Sequence, residues 1–289
     1  MPELDFVAPT TVEDAVRALA AAGGGGRPLG GGTDLLVQMK SGRARPKAIV
    51  DLKRIPGMIG IREEGGGFSI GAATPGALLG EHTALAAAWP GVVEGANLIG
   101  STQIQGRATL AGNLCNASPA ADSVPAMVAA GATAVVVGSK GRREVPVEQV
   151  PTGPGSTSLA PDEFVAEIKL PARPPHAADA YLRLIPRTEM DIAVVGAGVN
   201  LTLDAGGTIT DARVALGAVA PTVILVPDAA KAIIGTKLDE AALAALDAAA
   251  RAAAKPIDDK RGTVDYRIKI AGVLARRAAG IAYERAKAR

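Results

Sequence analysis

Two glycine-rich stretches decide the fold of this chain: residues 29–36, LGGGTDLL, and residues 103–122, QIQGRATLAGNLCNASPAAD. Glycine has no Cβ atom, so backbone N–H groups in such stretches approach an anion closely, and positive φ angles cost little. The first stretch runs from a short strand into a helix, whose N-terminus carries a partial positive charge that favours phosphate. Each stretch is therefore predicted to hold one phosphate group.

The separation of the two stretches along the chain indicates a ligand that they share. Two phosphate-holding loops from distant parts of a chain suit a diphosphate gripped from two sides. Thr33, Thr109, Asn113 and Asn116 carry side-chain groups that supply further hydrogen bonds. Ordinary turns also use glycine, so composition alone leaves a purely structural role for either stretch open.

The usual nucleotide-binding fingerprints are missing from the sequence. No set of glycines has the spacing G-x-G-x-x-G, and no glycine is followed by lysine, as a Walker A motif requires. The sequence therefore argues against a Rossmann dinucleotide site and against phosphoryl transfer on a P-loop.

Composition argues against several other classes of protein. The chain has 289 residues, enough for one large domain or two modest ones. Its 31 basic and 29 acidic residues give a net charge of +2 and only 2% of residues are aromatic, so no nucleic-acid partner is expected. A single cysteine, Cys115, and two histidines exclude disulfides and a self-contained iron–sulfur cluster, and no metal site is expected.

The N-terminus and the hydropathy pattern give no sign of export or membrane insertion. The opening sequence MPELDFVAPT has no basic segment followed by an apolar one, as a signal peptide has. No segment approaches the roughly 20 uninterrupted apolar residues of a membrane span. We therefore expect a cytoplasmic protein without a membrane span.

The first half of the chain alternates helix and strand patterns. Apolar spacing predicts a helix over residues 11–23, with Thr11 as its N-cap, and another over residues 35–40. The other predicted elements of this half are strands at 48–52, 68–72 and 132–137, helices at about 74–79, 84–94 and 121–130, and an irregular segment at 103–119.

The second half changes in character after a proline cluster at residues 171–175, which predicts a domain boundary. Two β-rich runs, 192–203 and 208–219, flank the turn sequence DAGG, which indicates a hairpin. Helices are predicted over 241–254 and 267–286, the first mainly from the helix propensity of alanine.

Both glycine-rich stretches resemble the FAD-binding medium subunit of molybdenum hydroxylases, a family that includes aerobic carbon monoxide dehydrogenase and, as a fused domain, xanthine dehydrogenase. The likeness continues through residues 181–203 and 215–221, so it covers nearly the whole chain. It implies an α+β fold with a two-subdomain FAD-binding domain of the vanillyl-alcohol-oxidase (PCMH) type. A smaller α+β C-terminal domain with a three-stranded antiparallel sheet is expected to follow. The implied domains are residues 1–174, with subdomains of about 1–57 and 58–174, and residues 175–289.

The resemblance also implies which residues contact FAD. Backbone amides of both stretches hold the pyrophosphate, Asp122 contacts the ribityl chain or nearby groups, and Ile99 and Val165 lie on the flavin side. Arg183 stands where family members often carry lysine. The planar guanidinium group of arginine thus takes the place of the compact ammonium group of lysine. The residues assigned to cofactor binding are Leu29, Gly30, Gly31, Gly32, Thr33, Asp34, Ile99, Thr109, Ala111, Gly112, Asn113, Asn116, Asp122, Val165 and Arg183.

Three residues near the predicted site have a second interpretation. Asp34 is either an acid in the first turn of a helix or a flavin-facing group. Asp122 is equally the N-cap of the helix that follows it. Cys115 is either a small residue packed under the flavin or a redox thiol, and because no basic neighbour is evident to lower its pKa, we expect packing.

The function that the resemblance implies is electron transfer. Noncovalent FAD in this chain receives electrons from a 2Fe-2S cluster on a small ferredoxin-like subunit and passes them to an external acceptor. Substrate oxidation takes place on a large molybdopterin subunit, in a heterotrimer or a dimer of heterotrimers. No catalytic side chain and no metal ligand are assigned to this chain. A stand-alone FAD-dependent NAD(P)H reductase and a non-enzymatic scaffold or assembly protein of the same fold remain the alternatives.

Overall fold

A computed structural model describes residues 4–289 of the chain. The elements of its N-terminal part are β1 (Asp5–Val7), α1 (Val12–Ala21), β2 (Gly26–Leu29), α2 (Leu35–Lys40) and β3 (Ala48–Asp51), followed by a 3-10 turn (Leu52–Arg54). The strands form a parallel sheet in the order β1-β3-β2. Helix α1 begins as predicted, because the hydroxyl of Thr11 accepts a hydrogen bond from the backbone N–H of Asp14 at 3.1 Å.

The middle part combines an antiparallel sheet with short helices. Its elements are β4 (Ile61–Glu64), β5 (Gly67–Gly71), α3 (Gly76–Glu81), α4 (Thr83–Ala88), α5 (Pro90–Asn97), α6 (Thr102–Gln105), α7 (Leu110–Cys115), α8 (Val124–Ala130), β6 (Thr133–Gly138), β7 (Gly141–Pro146), a 3-10 turn (Val147–Gln149), β8 (Pro151–Gly153), β9 (Ser156–Thr157) and β10 (Phe164–Leu170). The sheet order is β4-β5-β10-β6-β7, and β8 pairs with β9 in a small separate hairpin.

Two predictions for the middle part were wrong. The helix predicted over residues 84–94 is divided into α4 and α5 at Trp89, because Pro90 disfavours helical backbone in the residue before it. The segment 103–119, predicted to be irregular, contains α6 and α7. Helix α7 forms because the hydroxyl of Thr109 accepts a hydrogen bond from the backbone N–H of Gly112 at 2.9 Å and caps its first turn. The second glycine stretch therefore contains a helix N-terminus.

The C-terminal part is an antiparallel sheet with helices on its outer face. Its elements are β11 (Ala177–Leu184), β12 (Val195–Leu203), β13 (Ile209–Gly217), β14 (Ile224–Leu225), α9 (Pro227–Lys231), α10 (Glu240–Ala253) and α11 (Val264–Lys287). The predicted hairpin is confirmed, since β12 and β13 pair from Gly196 opposite Gly217 to Leu203 opposite Ile209. The two predicted C-terminal helices correspond to α10 and α11.

The prediction of a three-stranded C-terminal sheet was wrong. In the described part of the chain this sheet has four strands, in the order β11-β12-β13-β14. The fourth strand is two residues long and places Leu225 opposite Ala215. So short a strand, between Pro221 and Pro227, leaves no alternating pattern in the sequence, because its pairing depends on contacts made elsewhere in the fold.

Helix α8 packs directly on strands β12 and β13 and so joins the middle and C-terminal parts. A Cβ added at Gly198 would lie 2.5 Å from the carbonyl oxygen of Pro125, and one added at Gly217 would lie 2.8 Å from the Cγ of the same proline. These two glycines let the helix approach the sheet closely. The C-terminal sheet therefore supports α8, the helix that follows the second glycine stretch.

The opposite face of the C-terminal sheet packs against α11. This helix buries small side chains against β11 and β12, among them Ala271, Ala275, Ala278 and Ala282. The alanine content of the second half thus reflects a close helix-on-sheet contact rather than helix propensity alone. Neither α11 nor any other helix among residues 4–289 has the length and apolar character needed to cross a membrane.

Candidate cofactor-binding site

A cavity of about 690 Å³ lies between the N-terminal and middle parts. Its volume is within the usual range of cofactor and small-molecule sites. Most of the residues assigned to cofactor binding line it: Leu29, Gly30, Gly31, Gly32, Thr33, Asp34, Ile99, Thr109, Ala111, Gly112, Asn113, Asn116 and Val165. Asp122 and Arg183 are outside its lining.

The two glycine stretches touch each other along one wall of the cavity. A Cβ added at Gly31 would lie 1.9 Å from the carbonyl oxygen of Arg107 and 3.1 Å from the Cα of Ala108. A Cβ added at Gly30 would lie 3.5 Å from the Oγ1 of Thr109, an ordinary contact. The loops are therefore packed backbone to backbone, and glycine is required at position 31 for them to meet.

Backbone N–H groups without acceptors are concentrated where the loops meet. In the first loop the amides of Gly31, Gly32, Thr33 and Asp34 have no hydrogen-bond acceptor within residues 4–289. In the second loop, the amides of Leu110 and Ala111 at the start of α7 are equally free of acceptors in that range, and Ala111 is part of the same cavity wall. Such clusters of amides suit an anion, so the site fits a pyrophosphate group.

The asparagine side chains of the second loop are held by the protein. The Oδ1 of Asn113 accepts hydrogen bonds from the backbone N–H and the hydroxyl of Ser123, at 3.1 and 2.8 Å. The Oδ1 of Asn116 accepts a hydrogen bond from the Nε2 of Gln38 at 2.8 Å. Gln38 also lines the cavity, so this bond ties α2, which follows the first loop, to the end of α7. The amide NH₂ groups of both asparagines have no acceptor among the described residues, so they are left to donate to a ligand.

Several cavity residues carry no signal in the sequence. The segment after α2 contributes two arginines, and the segment before β10 contributes further lining residues. Gln38 lies one helical turn after Asp34. This spacing in a predicted helix was the only feature of the sequence that could have placed Gln38 near the site. The lining residues that were not predicted include Gln38, Arg43, Arg45, Leu159, Pro161 and Glu163.

Asp34 lies at the N-cap of α2 and lines the cavity, with no side-chain capping bond. Burial raises the pKa of its carboxyl group above the ordinary value. Asp34 is therefore the N-cap residue of α2 rather than an acid in its first turn.

Asp122 and Arg183 form an ion pair with each other, with 2.8 Å between Oδ2 and Nη1. Ser123, and not Asp122, occupies the N-cap of α8, so the capping interpretation of Asp122 was wrong. Burial raises the pKa of Asp122 to about 6, although Arg183 acts in the opposite direction. The second carboxylate oxygen of Asp122 and the hydroxyl of Tyr181 are buried without a hydrogen-bond partner among the described residues. These three residues thus form a polar cluster next to the site, at the junction with β11.

Replacement of Asp122 by Asn is expected to flatten the pH dependence of stability. Because burial favours the neutral carboxyl, the stability that Asp122 contributes is fully present below pH 3.8 and is lost as the pH rises through about 6. Free energies of unfolding measured in urea across this range should fall more steeply for the wild type than for Asp122→Asn. Asp228→Asn, at an exposed carboxyl, is the control and should follow the wild type. Parallel curves for wild type and Asp122→Asn would contradict this assignment.

Cys115 lines the cavity as a partly buried residue, and desolvation raises the pKa of its thiol to about 12. Since the thiolate is the reactive form, iodoacetamide should label Cys115 slowly in the folded protein and rapidly in urea. Cys115→Ala should keep the flavin content of the wild type, because the residue only packs. Rapid labelling of the folded chain, or loss of flavin in the variant, would contradict the packing role.

Two family models match the chain in succession. The model described as "FAD binding domain in molybdopterin dehydrogenase" matches residues 2–173. The model described as "CO dehydrogenase flavoprotein C-terminal domain" matches residues 180–282.

Related proteins match the chain over nearly its full length. The carbon monoxide dehydrogenase medium chain of Afipia carboxidovorans is 38% identical over 286 residues, which cover 99% of this chain and 97% of that protein. The xanthine dehydrogenase FAD-binding subunit of Escherichia coli O157:H7 is 30% identical and covers 90% of this chain and 89% of its own length.

Solved structures show the same fold. A chain of reconstituted CO dehydrogenase from Oligotropha carboxidovorans has a TM-score of 0.94 and 37% identity, with 99% of both chains covered. A chain of quinoline 2-oxidoreductase from Pseudomonas putida 86 has a TM-score of 0.90 and 25% identity, again over 99% of both chains. This chain therefore belongs to the FAD-binding medium subunits of the molybdenum hydroxylases, a family of oxidoreductases.

Proposed function

We propose that this chain carries electrons from a 2Fe-2S subunit to an external acceptor through FAD bound in the cavity. The observation that supports this most directly is the contact between the two glycine stretches, with free amides from both on one cavity wall. FAD, when bound, supplies the redox chemistry itself. The chain has to position the cofactor and exclude competing reactions, so the lack of an assigned catalytic side chain agrees with this role.

The positions of most of the assigned residues around the cavity support the roles that we propose for them. The amides of the first loop and of the start of α7 would hold the pyrophosphate, and the NH₂ groups of Asn113 and Asn116 would add donors. Ile99 and Val165 would lie against the flavin ring. Asp122 and Arg183 remain proposed cofactor-binding residues, although they pair with each other outside the cavity lining.

The proposal also covers the domain architecture of the chain. We assign residues 1–174 to a FAD-binding domain of the vanillyl-alcohol-oxidase (PCMH) type, with subdomains of about 1–57 and 58–174. Residues 175–289 are assigned to the C-terminal domain. Cytoplasmic location stays a prediction from the sequence.

The partners are proposed from the family and from the cysteine content. A 2Fe-2S cluster needs several cysteine ligands and this chain has one cysteine, so the electron donor must lie on another subunit. The relatives include subunits of carbon monoxide and xanthine dehydrogenases. We propose a small 2Fe-2S subunit and a large molybdopterin subunit, in a heterotrimer or a dimer of heterotrimers.

The test is to produce the full chain alone and together with its two partner subunits. We expect the chain alone to bind one FAD and to show no turnover of NADH with an artificial acceptor. The reduced small subunit should bleach the flavin absorbance, and the three subunits should copurify. NADH turnover by the isolated chain would favour a stand-alone reductase, and failure to bind FAD would favour a scaffold.

A further inference from the structure

Lys53 reaches the first glycine loop from behind the cavity. It lies in the 3-10 turn after β3, and its Nζ donates a hydrogen bond to the carbonyl oxygen of Gly30 at 3.2 Å. The same Nζ lies 2.5 Å from the Oδ1 of Asp51, which also accepts a hydrogen bond from the backbone N–H of Lys53 at 3.2 Å. Both side chains are largely buried, with 26% and 14% of their surface exposed. Neither residue lines the cavity.

The hydrogen bond to Gly30 controls the direction of the next amide. The carbonyl of Gly30 and the N–H of Gly31 belong to one planar trans peptide, so they point to opposite sides of the chain. A donor that holds this carbonyl on the far side of the loop therefore fixes where the amide points. Glycine on both sides of this peptide gives it unusual freedom to rotate in the absence of such a restraint. The amide of Gly31 is one of those without an acceptor within residues 4–289.

The charge of Lys53 is balanced locally. Asp51 contacts the ammonium group directly, so the pair carries little net charge toward the cavity. Lys53 therefore acts on the first loop through a directed hydrogen bond rather than through long-range attraction of a phosphate.

We propose that Lys53 is a positioning residue for the pyrophosphate of FAD: by restraining the Gly30 carbonyl it holds the Gly31 amide in the orientation that meets the anion. This inference rests on the proposed FAD site. Asp51 in turn fixes the ammonium group of Lys53. The mechanism predicts a loss of FAD affinity on removal of Lys53 that does not depend on salt, since no phosphate charge is contacted.

The experiment measures the dissociation constant of FAD for the full-length chain, by flavin fluorescence at several salt concentrations. Lys53→Met and Lys53→Gln should both weaken FAD binding about tenfold, the scale expected for one charge-assisted hydrogen bond. Lys53→Arg should restore most of the affinity. Lys169→Met is the matched control, because Lys169 also contacts a single carboxylate, that of Glu144 at 2.6 Å, away from the cavity.

The thermal midpoint of each apo variant is measured in parallel, so that binding is compared only between folded proteins. The proposal is supported if Lys53→Met and Lys53→Gln both bind FAD more weakly, while the dissociation constant keeps the salt dependence of the wild type. It is overturned if both bind FAD as the wild type does, or if their salt dependence becomes weaker, which would mean that Lys53 contacts a phosphate itself. A wild-type chain that fails to bind FAD would instead refute the proposed function, independently of Lys53.

Discussion

Gly31→Val is expected to abolish FAD binding, with a loss of affinity on the order of a hundredfold or more. The new Cβ would lie 1.9 Å from the carbonyl oxygen of Arg107, 2.6 Å from its carbonyl carbon and 3.1 Å from the Cα of Ala108. All three atoms belong to the backbone, so no side-chain rotation relieves the overlap. The two loops must move apart, and their amides then no longer face the same anion.

The measurement is the flavin content of the purified variant, followed by titration of the apo protein with FAD. Gly106→Ala is the control: it alters the same second stretch, but its Cβ would meet only the carbonyl oxygen of Gln103, at 3.5 Å. We expect this variant to bind FAD as the wild type does. Full flavin content in Gly31→Val would show that the loops do not need to touch for the site to form.

The first glycine loop was predictable from the sequence, whereas its contact with the second was not. A run of three glycines between a strand and a helix is a local signal, and the structure contains β2, the loop and α2 in that order. The contact at Gly31 joins residues far apart in the sequence, and no local pattern encodes such a pair. The prediction that both stretches hold one diphosphate came from their shared chemistry and from the family resemblance, and neither of these specified the contact at Gly31.

The second loop shows how composition hides a short helix. Residues 103–119 are rich in glycine and asparagine, which have low helix propensity, and an irregular segment was predicted. Helix α7 nevertheless forms, because Thr109 caps it and Leu110 and Leu114 bury their side chains in the core. Tertiary packing thus overrides the low helix propensity of this short segment.

Residues that position the site from a distance were the least predictable. Lys53 acts on a backbone carbonyl and Gln38 on the side chain of Asn116, and neither residue belongs to a motif. The pairing of Asp122 with Arg183 was also not foreseen, although both residues were assigned to the site. Each of these contacts depends on how separate elements come together, so a single sequence does not reveal them.

Arg173→Ala is expected to destabilise the protein by about 3–5 kcal/mol, the range found when one partner of a buried ion pair is removed. The guanidinium group of Arg173 lies 2.7 Å from the Oδ1 of Asp179 and 3.4 Å from the ring centroid of Trp89. It also donates hydrogen bonds to the Oδ1 of Asn200 at 2.6 Å and to the carbonyl oxygen of Ala88 at 2.7 Å. The side chains of Arg173 and Asp179 are 9% and 2% exposed, so water cannot replace the lost partner.

This cluster joins the middle and C-terminal parts of the molecule. Ala88 and Trp89 belong to the junction of α4 and α5, while Asp179 and Asn200 lie on β11 and β12. Free energies of unfolding in urea provide the measurement. Arg276→Ala is the control, because Arg276 forms an exposed ion pair with Glu240, of a kind worth at most about 1 kcal/mol. Equal losses of unfolding free energy in Arg173→Ala and Arg276→Ala would contradict the conclusion that burial makes the Arg173 ion pair important.

The pH dependence of the stability lost in Arg173→Ala identifies the cause of that loss. Burial raises the pKa of Asp179, and Arg173 is the main group acting in the opposite direction, so the variant should raise that pKa further. A carboxyl whose pKa is raised in the folded state favours folding at low pH, and this contribution is lost as the pH rises through the raised pKa. The destabilisation by Arg173→Ala should therefore grow from acidic to neutral pH. A loss independent of pH would instead assign it to the contacts of Arg173 with Trp89, Asn200 and Ala88, which do not titrate in this range.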